Sequence, residues 1–191
     1  MPASRHAATE ARKAQIAAAT IAVLARRGYA ATTFEAICEQ AGLSSKRLIS
    51  YHFSSKDELF AAVARQVVED AAAFMRPALD AAEGARAQLE AYIRANVAFI
   101  AAHPDHVRAV QQIAFNTTPV GQDESEAAVD RLARLFDDGR RTGSFRRFDS
   151  RMMASALRAA LDAAADRLVD DMDPQLCADE LAEAFDRATR P

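Results

Sequence analysis

A chain of 191 residues admits one substantial core or a small module joined to a larger one. Half of its residues are hydrophobic, but alanine supplies much of that half, and six Gly, six Pro and no Trp make a globular, helix-favouring composition. No apolar run approaches the roughly 20 residues needed to span a bilayer, and MPASRHAATEARK lacks the apolar stretch of a signal peptide, so a cytoplasmic protein without membrane contact is expected.

The net charge of −3 is unevenly spread. Through Lys56, eight basic residues (Arg5, Arg12, Lys13, Arg26, Arg27, Lys46, Arg47, Lys56) face only Glu10, Glu35 and Glu39, a net of +5, which leaves −8 for the remainder. A basic end on an acidic body fits a small nucleic-acid-binding module attached to a domain that must not itself adhere to DNA. Cys38 and Cys177 lie far apart in apolar helical surroundings, without a CxxC or Cys/His cluster, and are expected as buried free thiols.

Residues 1–10 are expected as a flexible tail. From about Arg12, Ile16, Ala19, Thr20, Val23 and Leu24 recur at helical spacing, and Arg26, Arg27 and Gly28 supply a C-terminal cap. Thr32 and Glu35 offer a capping box for a second short helix that buries Phe34, Ile37, Cys38 and Ala41 and stops at Gly42. Ser44 or Ser45 caps a third, running to about Phe53, with Ile49 and Phe53 facing inward. Two short helices about a tight Ala41-Gly42-Leu43 turn form a helix-turn-helix over about 33–53, whose second helix enters the major groove. The exposed chemistry of that helix favours DNA: Ser44, Ser45, Lys46, Arg47, Ser50, Tyr51 and His52 are hydrogen-bonding groups with no acid among them.

From Arg12 to Phe60 the ordered series Ile16/Ala19, Gly28-Tyr29, Thr32-Thr33, Ile37, Ala41-Gly42-Leu43-Ser44, Tyr51-His52-Phe53 and Ser55-Lys56-Asp57-Glu58-Leu59 resembles the TetR family of regulators. The resemblance implies an all-α protein of about nine helices. An N-terminal helix-turn-helix domain (11–56) would bind double-stranded operator DNA, and a helical domain (57–191) would bind a ligand and form a homodimer. It adds Thr33 to the DNA-facing set and makes Lys56, which opens a helix capped by Ser54 or Ser55, a phosphate contact. The chain departs from the family pattern by one additional residue in Ser45-Lys46-Arg47, and by Ser50 where tyrosine is common. Since Ile49 to Phe53 keeps its spacing, the helix carries over, whereas individual base contacts do not.

Beyond Asp57 a long helix carries Phe60, Val63, Val67, Ala71 and Phe74 until Pro77, which must bend or end it. A helix over about 85–102 buries Leu89, Ile93, Val97 and Ile100, and further helices are signalled at about 105–115, 124–140, 150–169 and 174–188, with Gly121, Gly139, Gly143 and Asp173-Pro174 among the punctuation. Phe74, Tyr92, Asn96, Phe99, Gln111, Phe115 and Met152 adjoin the main apolar stripes and are candidates to line a pocket for a largely apolar effector. Leu157, Leu161 and Leu168, with Leu181 and Phe185 and intervening alanines, suit either a four-helix dimer interface or an internal core; the resemblance favours the interface.

Nothing here has the form of an enzyme, metal or cofactor site. His103 and His106 straddle a helix break, Asp162, Asp166, Asp170 and Asp171 form a solvated face, and Gly143-Ser144-Phe145-Arg146 forms a turn. The expected function is a repressor released from a palindromic operator by a small molecule. A DNA-binding regulator controlled by a partner protein, or a helical interaction module without DNA, are the alternatives.

Overall fold

The fold is that of a computed structural model, which describes residues 2–116, 122–169 and 172–191. It contains nine helices and no strand among the described residues: α1 (Pro2–Arg27), α2 (Phe34–Ala41), α3 (Arg47–His52), α4 (Lys56–Asp80), α5 (Ala85–Ala102), α6 (Pro104–Asn116), α7 (Gln122–Arg141), α8 (Ser150–Val169) and α9 (Pro174–Thr189). They form two compact units, Met1–Glu69 with Asp105–Gln122, and Asp70–Pro104 with Asp123–Pro191. The boundary expected between 56 and 57 therefore falls inside the first unit, whose interior includes Leu59, Phe60 and Val63 from the start of α4.

In the first unit α1 begins at Pro2, and the segment expected as a tail forms its opening turns. Ala3, Ala7, Ala8 and Ala11 have the highest helix propensity, but His6, Ala7, Ala8 and Glu10 stay exposed, so propensity and not a buried face favours helix at 6–10. The buried face starts at Ile16 and continues through Ala19, Thr20, Val23 and Leu24; Thr20 is accommodated because its hydroxyl donates to the Ile16 carbonyl at 2.8 Å. Ile37 from α2, Ile49 from α3, Phe53, and Ala109 and Ile113 from α6 are likewise buried. Removing each large side chain from water contributes about 1.5–3 kcal/mol.

The second unit is built around α5, against which α8 and α9 pack. Its core joins Leu89, Ile93 and Val97 of α5, Leu132 and Phe136 of α7, Ala154, Leu157 and Leu161 of α8, and Cys177 and Ala178 of α9. Asp173 caps α9 as its sequence implies, its carboxylate accepting from the Gln175 N–H at 2.9 Å ahead of Pro174. Pro77 does not stop α4 at once; the helix runs three residues beyond it, to Asp80, although proline has no N–H to return to the preceding turn. Gly139 lies inside α7 rather than ending it. A Cβ there would meet the Phe145 ring at 2.1 Å, so glycine is what lets that ring into the core. The Gly121 signal and Asp170–Asp171 lie outside the described residues.

Candidate nucleic-acid interface

The helix-turn-helix is assembled by short-range bonds that follow from residue type. Thr33, not Thr32, is the N-cap of α2: its hydroxyl accepts from the Ala36 N–H at 3.2 Å, while Thr32 is buried with its hydroxyl on the Gly28 carbonyl at 2.8 Å. The capping box expected from Thr32 and Glu35 is thus not formed: the cap moves to Thr33, whose N3 partner Ala36 has no polar side chain to return the bond, and Glu35 is left for another partner. Gly42 takes the left-handed conformation at φ 64° that closes α2. The Leu43 N–H then returns to the Cys38 carbonyl at 3.0 Å, and Gln15 of α1 donates to the Ala41 carbonyl at 2.8 Å. These bonds fix the turn that aims α3.

The third helix is shorter than its sequence pattern implies, starting at Arg47. Ser45 accepts from the Arg47 N–H at 3.2 Å, while Lys46, the residue before the helix, provides no side-chain cap. Ile49 and Phe53 are buried as expected, and Ser44, Ser45, Lys46, Arg47, Ser50 and Tyr51 are exposed, Tyr51 by 82%. His52 is half-buried with its ring edge-on to Tyr51 at 5.1 Å. Thr33 is exposed at the start of α2. One acidic group meets this face: Glu35 bonds the Lys46 ammonium at 2.6 Å, which holds the Glu35 carboxyl below its ordinary range and raises the Lys46 ammonium.

Lys56 opens α4. Ser55 accepts from the Glu58 N–H at 3.0 Å, and the Glu58 carboxylate accepts from the Ser54 N–H at 2.7 Å and hydroxyl at 2.6 Å, a reciprocal cap that depresses the Glu58 carboxyl. The Lys56 ammonium lies 4.5 Å from the Tyr29 ring centroid and 5.2 Å from that of Phe60. A positive group, a capped helix N-terminus and adjacent serine hydroxyls are what one phosphate requires. Tyr29 and Glu35, the shelf of one cation and the partner of another, were not assigned from the sequence. Their partners lie 27 and 11 residues away, beyond any local pattern.

The candidate effector residues are divided between the two units. In the second unit the Phe74 and Phe99 rings meet at 5.7 Å with His103 beside both, and Asn96 bonds the Tyr92 carbonyl at 3.0 Å. Phe115 is 85% exposed and Met152 70%, so neither lines a closed cavity within one chain. On α6 the buried positions are Ala109 and Ile113, and Phe115 is turned about 200° from Ile113. Gln111 and Phe115 belong to the first unit and the other five candidates to the second. A groove of about 640 Å³ in the second unit is lined instead by Arg86, Glu90, Arg94, Asp179, Glu183 and Asp186. The proposed interface also divides: Leu157 and Leu161 are buried in the core of their own chain, whereas Leu168, Leu181 and Phe185 remain partly exposed.

The fold and this surface define a helix-turn-helix DNA-binding regulator. Residues 16–63 match the family described as bacterial regulatory proteins, tetR family. The HTH-type transcriptional activator FasR of Mycolicibacterium smegmatis is 30% identical over 149 residues, covering 78% of this chain and 68% of that protein. The HTH-type transcriptional regulator BetI of Burkholderia thailandensis is 34% identical over 88 residues, 46% of this chain and 45% of that relative. A solved TetR-like transcriptional regulator from Rhodococcus sp. RHA1 superposes with TM-score 0.75 at 26% identity over 93% of this chain and 94% of that one. The chain belongs to the TetR family of DNA-binding transcriptional regulators, which is not an enzyme family. None of the helices, among the described residues, is long and apolar enough to cross a membrane.

Proposed function

We propose that this chain works in the cytoplasm as a dimeric repressor that grips a palindromic operator with α3 and Lys56 of each protomer and lets go when a small molecule binds. The observation that carries the reading is the exposed polar set Ser44–Arg47, Ser50 and Tyr51, with a lysine at the capped start of the next helix, α4. Phosphate contacts of this kind position the protein, and the polar side chains of α3 distinguish bases. For the effector, Tyr92, Asn96 and Phe99 follow one face of α5 with His103 capping its end, and Phe74 closes on the last two, an aromatic set suited to an uncharged, largely apolar molecule. Such a ligand releases DNA only through a difference in affinity between the binding and released conformations. Dimerisation is assigned to the exposed faces of α8 and α9, where Ser155, Ala156, Ala159, Ala163 and Ala184 permit close helix approach.

Fluorescence anisotropy on duplexes drawn from the DNA flanking the gene tests the reading. Affinity is expected to fall steeply with salt. Lys56→Ala should weaken all sequences alike, and Lys46→Ala or Arg47→Ala should also change preference among them. Equal losses with unchanged preference would count against base recognition by α3. A second reading, activation in place of repression, is favoured by the FasR likeness, since that relative is named an activator. Deleting the gene raises expression from the target promoter if the chain represses and lowers it if it activates.

A further inference from the structure

The Lys56 ammonium rests on a platform. The Tyr29 and Phe60 rings beneath it lie 5.3 Å apart at 54° to one another. Phe60 is fixed by its complete burial on α4, one turn from Lys56. Tyr29 has no such anchor, being in the loop between α1 and α2, just after Gly28 at φ 75°. Its backbone N–H is taken instead by Oε1 of Gln112, on α6 and 83 residues further along the chain, at 3.1 Å. All four residues belong to the first unit.

We propose that Gln112 is a positioning residue for DNA binding: by accepting from the Tyr29 N–H it sets the Tyr29 ring under Lys56, and so holds that ammonium where a phosphate will meet it. The Thr32 hydroxyl holds the Gly28 carbonyl at 2.8 Å and the Thr32 N–H the Tyr29 carbonyl at 3.2 Å, so the loop stays folded without Gln112, but the Tyr29 N–H is left unpaired and the ring above it is less firmly placed. The cation–π contact that restrains the long lysine side chain is then weakened, and Lys56 must be ordered by the phosphate alone. Gln112 touches no DNA in this arrangement; it acts through Tyr29 on Lys56. The inference rests on the DNA-binding reading of the first unit.

The test uses the full-length protein and its operator duplex. Gln112→Leu keeps the bulk and helix propensity while removing the acceptor, and it should weaken operator binding about fivefold, the value of one hydrogen bond. The logarithmic salt slope should flatten towards that of Lys56→Ala. The double variant Gln112→Leu/Lys56→Ala should bind no worse than Lys56→Ala alone, because both changes remove one contact. Should the leucine variant melt out, Gln112→Asn, one methylene too short to reach Tyr29, replaces it. Unchanged affinity and salt slope in a folded variant, or losses that add fully with Lys56→Ala, would overturn the role of Gln112 and leave DNA binding standing. If the unaltered protein binds no duplex, the functional reading falls first and takes this inference with it.

Discussion

Lys46 enters any contact with DNA already paired. Glu35 bonds its ammonium at 2.6 Å with both side chains more than 60% exposed, so the pair is cheap to break and a phosphate can replace the carboxylate. The carboxylate nevertheless repels the approaching backbone. Glu35→Gln should therefore tighten binding about two- to fivefold at low salt, with the gain shrinking as salt rises. An anisotropy series at increasing salt checks this, and unchanged or weaker binding would mean that the carboxylate orders Lys46 usefully. The pairing was invisible in the sequence because the exposed residues of α3 include no acid; the one that matters comes from α2.

The start of α4 is the element whose stability can be isolated. Ser55 and Glu58 satisfy orphan N–H groups at and before the first turn, which also presents Lys56. Replacing Ser55 by Ala should cost about 1 kcal/mol in thermal or denaturant unfolding. Because folding lowers the Glu58 carboxyl, chiefly through the bond from the Ser54 hydroxyl, its contribution is complete above the ordinary glutamate range. It disappears as pH falls through the depressed value. The difference in melting temperature between the unaltered protein and Glu58→Gln should accordingly be largest near neutral pH and close at strongly acid pH. A difference independent of pH would assign the effect to something other than the carboxylate. A serine cap at Ser54 or Ser55 was legible from the sequence because it depends only on neighbouring residues; the choice of Ser55 and the return of Glu58 to Ser54 came with the structure.

For the whole molecule, the arrangement separates residues that hold the protomer together from those that can meet a partner. Leu161 is 1% exposed within its own chain, so Leu161→Ala should lose about 2–5 kcal/mol of stability whatever the oligomeric state. Ala159, two residues from Leu161 and so on the opposite side of α8, is exposed. Ala159→Glu is expected to leave the far-ultraviolet circular dichroism unchanged and to convert the dimer to monomer in sedimentation velocity, by burying a charge at a helix contact. A dimer that survives this change would move the interface away from that face of α8.

The sequence alone determined whatever is settled over a turn or two of chain: the helix-turn-helix, the Gly42 stop, the Asp173-Pro174 cap, a serine cap at Ser54 or Ser55, the extent of α5 and the inward pairing of Ile49 with Phe53. Periodicity and capping act locally, and the string Arg12 to Phe60 was specific enough to point to the family. Tertiary structure decided which of two apolar stripes each helix buries, and there the local signal is degenerate. Alanine is equally at home in a core and at an exposed helix face, so the leucines of α8 read as an interface although Leu157 and Leu161 fill the core of their own chain. Phe115 and Met152 read as pocket walls but face outward. The seat of Phe145 on Gly139, the Glu35–Lys46 pair and the Gln112–Tyr29 bond join residues separated by 6, 11 and 83 positions. Such contacts exist only once the helices have packed, because it is packing, and no pattern along the chain, that brings their atoms within reach.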